Sequence, residues 1–197
     1  DQVLADSAIR AIILTGAGDG VFIRHFDLPE LSRAAEALAA APPPARTAGW
    51  NDSIFHRITR RIESCDVPVI AAINGDCMGV GFELALACDI RIAQAGPFSL
   101  GLPEMNIAML PGGGGTARLA RLIAPSLAFE LIATARVLEP VEALHLGLVN
   151  AVSPDPLASA LALAERMTAR SATGIAAAKR VIRQSRDLPI EEALTLE

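Results

Sequence analysis

Residues 67–89 read Val67-Pro68-Val69-Ile70-Ala71-Ala72-Ile73-Asn74-Gly75-Asp76-Cys77-Met78-Gly79-Val80-Gly81-Phe82-Glu83-Leu84-Ala85-Leu86-Ala87-Cys88-Asp89. Val67 to Ile73 is a short apolar run rich in β-branched residues and bounded by turn residues. Such a run reads as a strand buried on both faces. Asn74-Gly75 closes it with turn chemistry. Glycines at 79 and 81 let the backbone bend into a short helix that runs through Cys88. Asp89 to Ala93 is the next strand. A strand, a helix and a strand in this order imply parallel strands joined by crossovers, and hence an α/β fold.

Working outward, Ala8 to Thr15 repeats the pattern as an earlier buried strand closed by Gly16, and Phe98 to Leu100 is a fourth candidate. Asp27 and Glu30 have capping-box spacing, so a helix starts there, with Leu28, Leu31, Ala35 and Leu38 on its apolar face. Ala41-Pro42-Pro43-Pro44 stops it, and Pro42 to Gly49 reads as a surface loop. Ile54, Ile58 and Ile62 recur every four residues, with Arg57, Arg60, Arg61 and Glu63 off the stripe, which is an amphipathic helix. After Gly115 the pattern becomes helical: Thr116 to Ile123, Ser126 to Ala135, Val141 to Leu146, Pro156 to Ala169 and Thr173 to Ser185. Leu148 to Val152 is a brief extended piece among them. The expected division is a core over residues 1–125 and a helical region over 126–197.

The chain has 197 residues, enough for one self-sufficient core, and its 52% hydrophobic residues exclude a disordered protein. The net charge of −5 argues against nucleic acid as a partner. Cys65, Cys77 and Cys88 have no zinc spacing and sit in apolar segments, so they read as reduced core thiols of a cytoplasmic protein. His25, His56 and His145 belong to no metal motif. No apolar run is long enough to span a bilayer, and the opening Asp1-Gln2 resembles no signal peptide. An opening without Met, so close to a buried strand, points to residues missing ahead of it.

Three segments can carry chemistry. Asn74 to Glu83 places backbone N–H groups without helical acceptors at the start of a helix, where an oxyanion can sit, with Glu83 in the first turn. Leu102-Pro103-Glu104 sets a carboxyl in an apolar stretch, where burial would raise its pKa toward proton transfer. It is followed by Pro111-Gly112-Gly113-Gly114-Gly115-Thr116, a glycine run opening another helix. Val21 to Leu28 enters the first long helix and holds Arg24, His25 and Asp27. Each segment alone also fits a plain reading: a tight turn, a solvated glutamate, a packed histidine. There is no G-x-S-x-G elbow, and the glycine run lacks the Lys-Ser/Thr ending of a P-loop.

Taken together, these segments resemble the enoyl-CoA hydratase/isomerase (crotonase) superfamily. The resemblance rests on Ile9 to Gly16, Pro68 to Gly75, Gly81 to Asp89, Leu102-Pro103-Glu104, Pro111 to Thr116 with Arg118-Leu119, and Ala143 to Asn150. It implies a crotonase-like spiral of ββα units with a helical C-terminal region used for trimer or hexamer packing. It implies an acyl-CoA substrate, with coenzyme A part of the substrate and no separate cofactor or metal. The thioester carbonyl would lie between the backbone N–H groups of Phe26 and Val80. Glu83 matches the family's first catalytic glutamate, Glu104 its second, and Gly112 the glycine beside the reacting water. Arg24, His25, Asp27 and Gly79 fall at substrate-binding positions.

The implied reaction is hydration: Glu83 activates water for attack at the β-carbon, and Glu104 protonates the α-carbon. Two departures stand out. Arg24-His25-Phe26-Asp27 replaces a stretch of small residues that lies against CoA in relatives, and segments at both ends of the family pattern are missing. An isomerase needing one carboxylate, or a CoA-independent hydrolase of diketone C–C bonds using His25, are the alternatives. The acidic balance and the lack of Tyr argue against the RNA-binding members of the fold.

Overall fold

The computed structural model describes Val3 and residues 6–25, 27–40 and 53–197. It contains two four-stranded sheets between which the chain alternates. One has the order β1 (Ile12–Thr15), β3 (Val69–Ile73), β5 (Ile90–Gln94), β8 (Ala151–Ser153), and every neighbouring pair in it is parallel. The other has the order β2 (Gly20–Ile23), β4 (Gly75–Met78), β6 (Leu100–Gly101), β7 (Val137–Leu138), with only the β6–β7 pair antiparallel. Each of β1 and β3 is followed by a strand of the second sheet and then by helix that returns the chain to the first; β5 leads through β6 and the helices after it to β7, also in the second sheet, before the chain returns to β8. This is the expected spiral of strand–strand–helix units.

The central strand β3 is buried at all five positions. Its alternation serves two cores. Ile70 and Ala72 join Ile92 and the small residues Ala160 and Ala164 of α7 (Pro156–Thr168). Val69, Ala71 and Ile73 join a larger cluster with Phe82, Leu86, Leu100 and Leu119. A strand facing two apolar layers shows no polar alternation, which is why it reads as a continuous run.

Several boundaries differ from the sequence reading. β1 begins at Ile12 rather than Ala8, because Ile12 is where its partner β3 begins, opposite Val69. Pro68 has no N–H for the ladder, and its carbonyl accepts from the Ile12 N–H at 2.9 Å. Asn74-Gly75 is a corner and not an ending: the chain passes straight into β4. The pattern also missed β2, β4 and β7, each four residues or fewer. The helix capped by Asp27 is α1 (Leu28–Ala40), and the isoleucine stripe is α2 (Ile54–Ser64). The apolar face of α1 and the loop of residues 42–49 fall outside the described side chains and residues. The remaining helices are α3 (Val80–Ala87), α4 (Gly115–Leu122), α5 (Pro125–Ala133), α6 (Pro140–His145), α8 (Ala172–Ser185) and α9 (Ile190–Leu194). β7 and β8 lie among these later helices and complete the two sheets.

Side chains tie successive turns of the spiral together. Asn74 accepts from the Gly16 N–H at 2.9 Å and donates to the carbonyls of Gly16 at 3.2 Å and Gly18 at 2.7 Å. Arg91, 5% exposed, donates to the carbonyls of Leu148, Ala85 and Cys88, two of them at the end of α3. A cation there satisfies helix carbonyls that have no N–H partner. The three cysteines are buried and free.

Asn74→Ala should lower stability by about 2–3 kcal/mol, because two carbonyls and an N–H lose their partner together. Urea unfolding measures this; a loss below about 0.5 kcal/mol, the range of an ordinary surface change, would show that the clamp is idle.

Candidate active site

The site forms where α3 starts. β4 delivers the chain to Gly79, whose φ of 56° and ψ of −127° turn it into the helix. That φ is left-handed, and a Cβ at Gly79 would stand 3.2 Å from Glu104 Oε1 and 3.4 Å from the Arg24 carbonyl oxygen. Glycine therefore meets both the conformational and the spatial demand. The Gly79 N–H is held by the Gly101 carbonyl at 2.9 Å. Val80 is the first helical residue, so its N–H has no acceptor within the helix.

Glu83, one turn further along, is 2% exposed. The Gly115 N–H at the start of α4 donates to its Oε1 at 2.8 Å. A Cβ at Gly113 would collide with Glu83 Oε2 and with Phe55 of α2, so the glycine run makes the space that the carboxylate occupies. Burial raises the Glu83 pKa; hydrogen bonds from the Gly115 and Gly113 amides and the nearby Arg118 charge pull it back.

Glu104 comes from a 3-10 turn over Pro103–Ile107 that ends on Ala108 in a left-handed conformation. The backbone there is irregular, and the sequence pattern did not mark it as helical. Glu104 Oε2 is buried with no hydrogen-bond partner. Its carboxyl is pushed up to about 7, chiefly by burial and further by the Glu83 charge, against a hydrogen bond from its own backbone.

Both carboxyls line one cavity of about 460 Å³. His25, Gly79, Val80 and Gly112 line it too, so six of the sequence-derived site residues meet at one place. Arg24 and Asp27 are not among its lining residues. The Arg24 guanidinium pairs with Asp76 at 2.7 Å, and Asp76 also accepts from the Ser99 N–H. Asp27 caps α1, accepting from the Glu30 N–H at 3.0 Å. Phe26 lies outside the described residues. The rest of the wall is largely apolar, including Ile107, Met109, Leu110 and Val137. Sequence reasoning missed these, since an apolar residue that lines a cavity carries the same pattern as one in a core. It also passed over Arg118 as a chemical group, although its place four residues after Gly114 puts it one helical turn from the glycine run.

Among the described residues, no group of three or more His, Cys, Asp or Glu is arranged to hold a metal ion. Among them also, no helix is long and apolar enough to cross a membrane.

A family model described as Enoyl-CoA hydratase/isomerase matches residues 1–197. The short-chain-enoyl-CoA hydratase of Clostridium acetobutylicum is 36% identical over 100% of this chain and 72% of its own length. The crotonyl-CoA hydratase of Syntrophomonas wolfei is 34% identical over 98% of this chain and 71% of its own length. The crystal structure of an enoyl-CoA hydratase from Bacillus anthracis superposes with a TM-score of 0.85 at 36% identity, covering 99% of this chain and 72% of that one.

The unpartnered Glu104 oxygen has a thermodynamic signature. The folded protein keeps the Glu104 proton up to about pH 7, whereas an unfolded chain releases it near 4.3. Stability therefore falls as pH rises through that interval. Glu104→Gln should stabilise the protein by about 1–2 kcal/mol at pH 8, allowing for partial exposure, and by almost nothing at pH 4. Thermal melts at the two pH values decide it; an equal effect at both would remove the ionisation argument.

Proposed function

Because the chain belongs to the enoyl-CoA hydratase/isomerase family, we propose that it hydrates the α,β double bond of an acyl-CoA thioester, with Glu83 and Glu104 as its two catalytic groups. The observation that carries this reading is the pair of carboxyls in one largely apolar cavity, held in different environments. Glu83 accepts from backbone N–H groups that favour its ionised form, which suits a base. Glu104, with no donor to Oε2 and a pKa of about 7, suits an acid.

The steps follow from these roles. The thioester carbonyl accepts from the Val80 N–H and from a second N–H at Phe26. These donors stabilise the negative charge that develops on the oxygen as water adds, and one such donor is typically worth about 3 kcal/mol in the transition state. Glu83 takes a proton from water as its oxygen bonds to the β-carbon. The electron pair of the double bond moves toward the carbonyl, and Glu104 delivers a proton to the α-carbon. The product is the 3-hydroxyacyl thioester, and the Glu83 proton returns to Glu104 through solvent to reset the site. Ile107, Met109, Leu110 and Val137 give the acyl chain an apolar wall. His25 shares the cavity and is the closest feature to the alternative hydrolase chemistry. No cofactor beyond the CoA of the substrate enters.

Self-association through the helices after Ser126 belongs to the same reading. It is supported by Phe129 at 75% exposure and Val141 at 53%, large apolar side chains on α5 and α6. Sedimentation of the protein should give a trimer or hexamer mass, and a monomer at micromolar concentration would remove that part.

Crotonyl-CoA should lose its enoyl-thioester absorbance with this protein. Glu83→Gln and Glu104→Gln should each lower kcat by about 10²–10⁴-fold. An isomerase acting on 3-enoyl-CoA would instead survive Glu83→Gln, and a diketone hydrolase would depend on His25 and ignore enoyl-CoA. The acid must be protonated and the base ionised, so kcat/KM should fall as pH rises through about 7 and fall again at low pH as Glu83 protonates. A flat profile from about pH 6 to about pH 8 would contradict Glu104 as the acid.

A further inference from the structure

Behind the glycine run, on the side away from the cavity, Arg118 of α4 and Glu63 near the end of α2 form a two-pronged ion pair. Arg118 Nε donates to Oε1 at 2.7 Å and Nη2 to Oε2 at 2.9 Å, and only 16% of the Arg118 side chain is exposed. The remaining Arg118 nitrogen, Nη1, donates to the Gly113 carbonyl at 3.0 Å. The guanidinium occupies the place where a side chain at residue 114 would stand, and Gly114 has a φ of 99°, so the loop can lie here only as glycine. Glu63 has a second anchor: Arg183 approaches it at 3.5 Å while holding Asp89 at 2.8 Å. Asp89 in turn accepts from the Val69 N–H of the central strand at 2.8 Å.

We propose that the Arg118–Glu63 pair is a positioning device for Glu83, acting through the glycine strand that lies between them. One face of that strand receives the guanidinium on the Gly113 carbonyl, and the other presents the Gly115 N–H to the Glu83 carboxylate. The planar fork fixes the loop against α2 in a single register, and the loop fixes the orientation of the base. A lysine can supply the charge but not the three bonds in one plane. The charge acts as well: Arg118 favours the ionised form of Glu83. The ionisable groups around the pair include Glu104 across the cavity, Arg183 against Glu63, Asp66, Arg121 and Lys179 along the hollow that Glu63 and Arg118 line, and His56 of α2, whose pKa is lowered by burial and by Arg60 and Arg118.

This inference rests on the hydratase reading for its kinetic test but not for its titration test. In the first, Arg118→Met should lower kcat on crotonyl-CoA by about tenfold to a hundredfold while KM moves less than about threefold, because a mispositioned base harms the reaction more than binding. Arg118→Lys should recover part of that loss and keep the melting temperature closer to that of the parent, so a poorly folded Met variant does not leave the question open. In the second, the Glu83 carboxyl is followed by NMR in protein carrying labelled glutamate. Its pKa should rise in Arg118→Met and fall or stay level in Glu63→Gln, where Arg118 keeps its charge and loses its neutraliser. Unchanged kcat in folded Arg118→Met, a loss confined to KM, or a Glu83 titration that does not rise in Arg118→Met would each overturn the proposal. If the unaltered protein leaves crotonyl-CoA untouched, the hydratase reading falls and the Glu83 titration alone decides the role of Arg118.

Discussion

The hydrogen bond from the Gly115 N–H to Glu83 is the contact on which the arrangement of the site depends. A carboxylate only 2% exposed cannot stay ionised without donors, since burial of a bare charge is among the costliest things a fold can do. The donor comes from outside α3. The start of α4 supplies it, and the chain between residues 112 and 115 carries no side chains that would keep the two helices apart. The position of α4, the glycine run and the orientation of Glu83 are thus one requirement and not three.

Much of this was legible in the residues, for identifiable reasons. β3 announces itself because it faces apolar layers on both sides, and Glu83 follows a strand and two glycines at a spacing that fixes it in a first helical turn. Most helices after Gly115 were legible because they run long enough for their period to show, whereas α9, with five residues, went unread. The strands of the second sheet were not. β2, β4 and β7 contain glycine, aspartate or too few residues to establish any alternation, and the chain enters β2 and β4 through corners that look like terminations. Their identity is set by pairing with distant strands, which is tertiary information. The ion pair of Arg118 was hidden for the same reason: its partner Glu63 lies 55 positions away in the chain.

The segment Arg24-His25-Phe26-Asp27 divides by destination. Arg24 turns to Asp76 and Asp27 to the start of α1, so the two charges are absorbed by the scaffold. His25 alone, among the described residues of this segment, borders the cavity, with Nδ1 3.6 Å from the point a Gly79 Cβ would occupy. Over the described residues, the segment thus brings one imidazole to the cavity that Glu104 lines.

The alternation between two sheets also governs how the chain reaches this state. Apart from β6 and β7, which are separated by a 3-10 turn and two helices, consecutive strands lie in different sheets, so no strand pairs with a near neighbour in sequence. Ile12 must find Val69, and Ile92 must find Ala151. Local hairpins cannot serve as nuclei, and each sheet closes only after a long stretch of intervening chain has been ordered. Folding of this chain is therefore governed by loop closure and by non-local parallel pairing, which puts it among the slower topologies. Until β8 docks on β5, the edge of the first sheet stays open, and that interval is when the apolar strands are most exposed to association with one another.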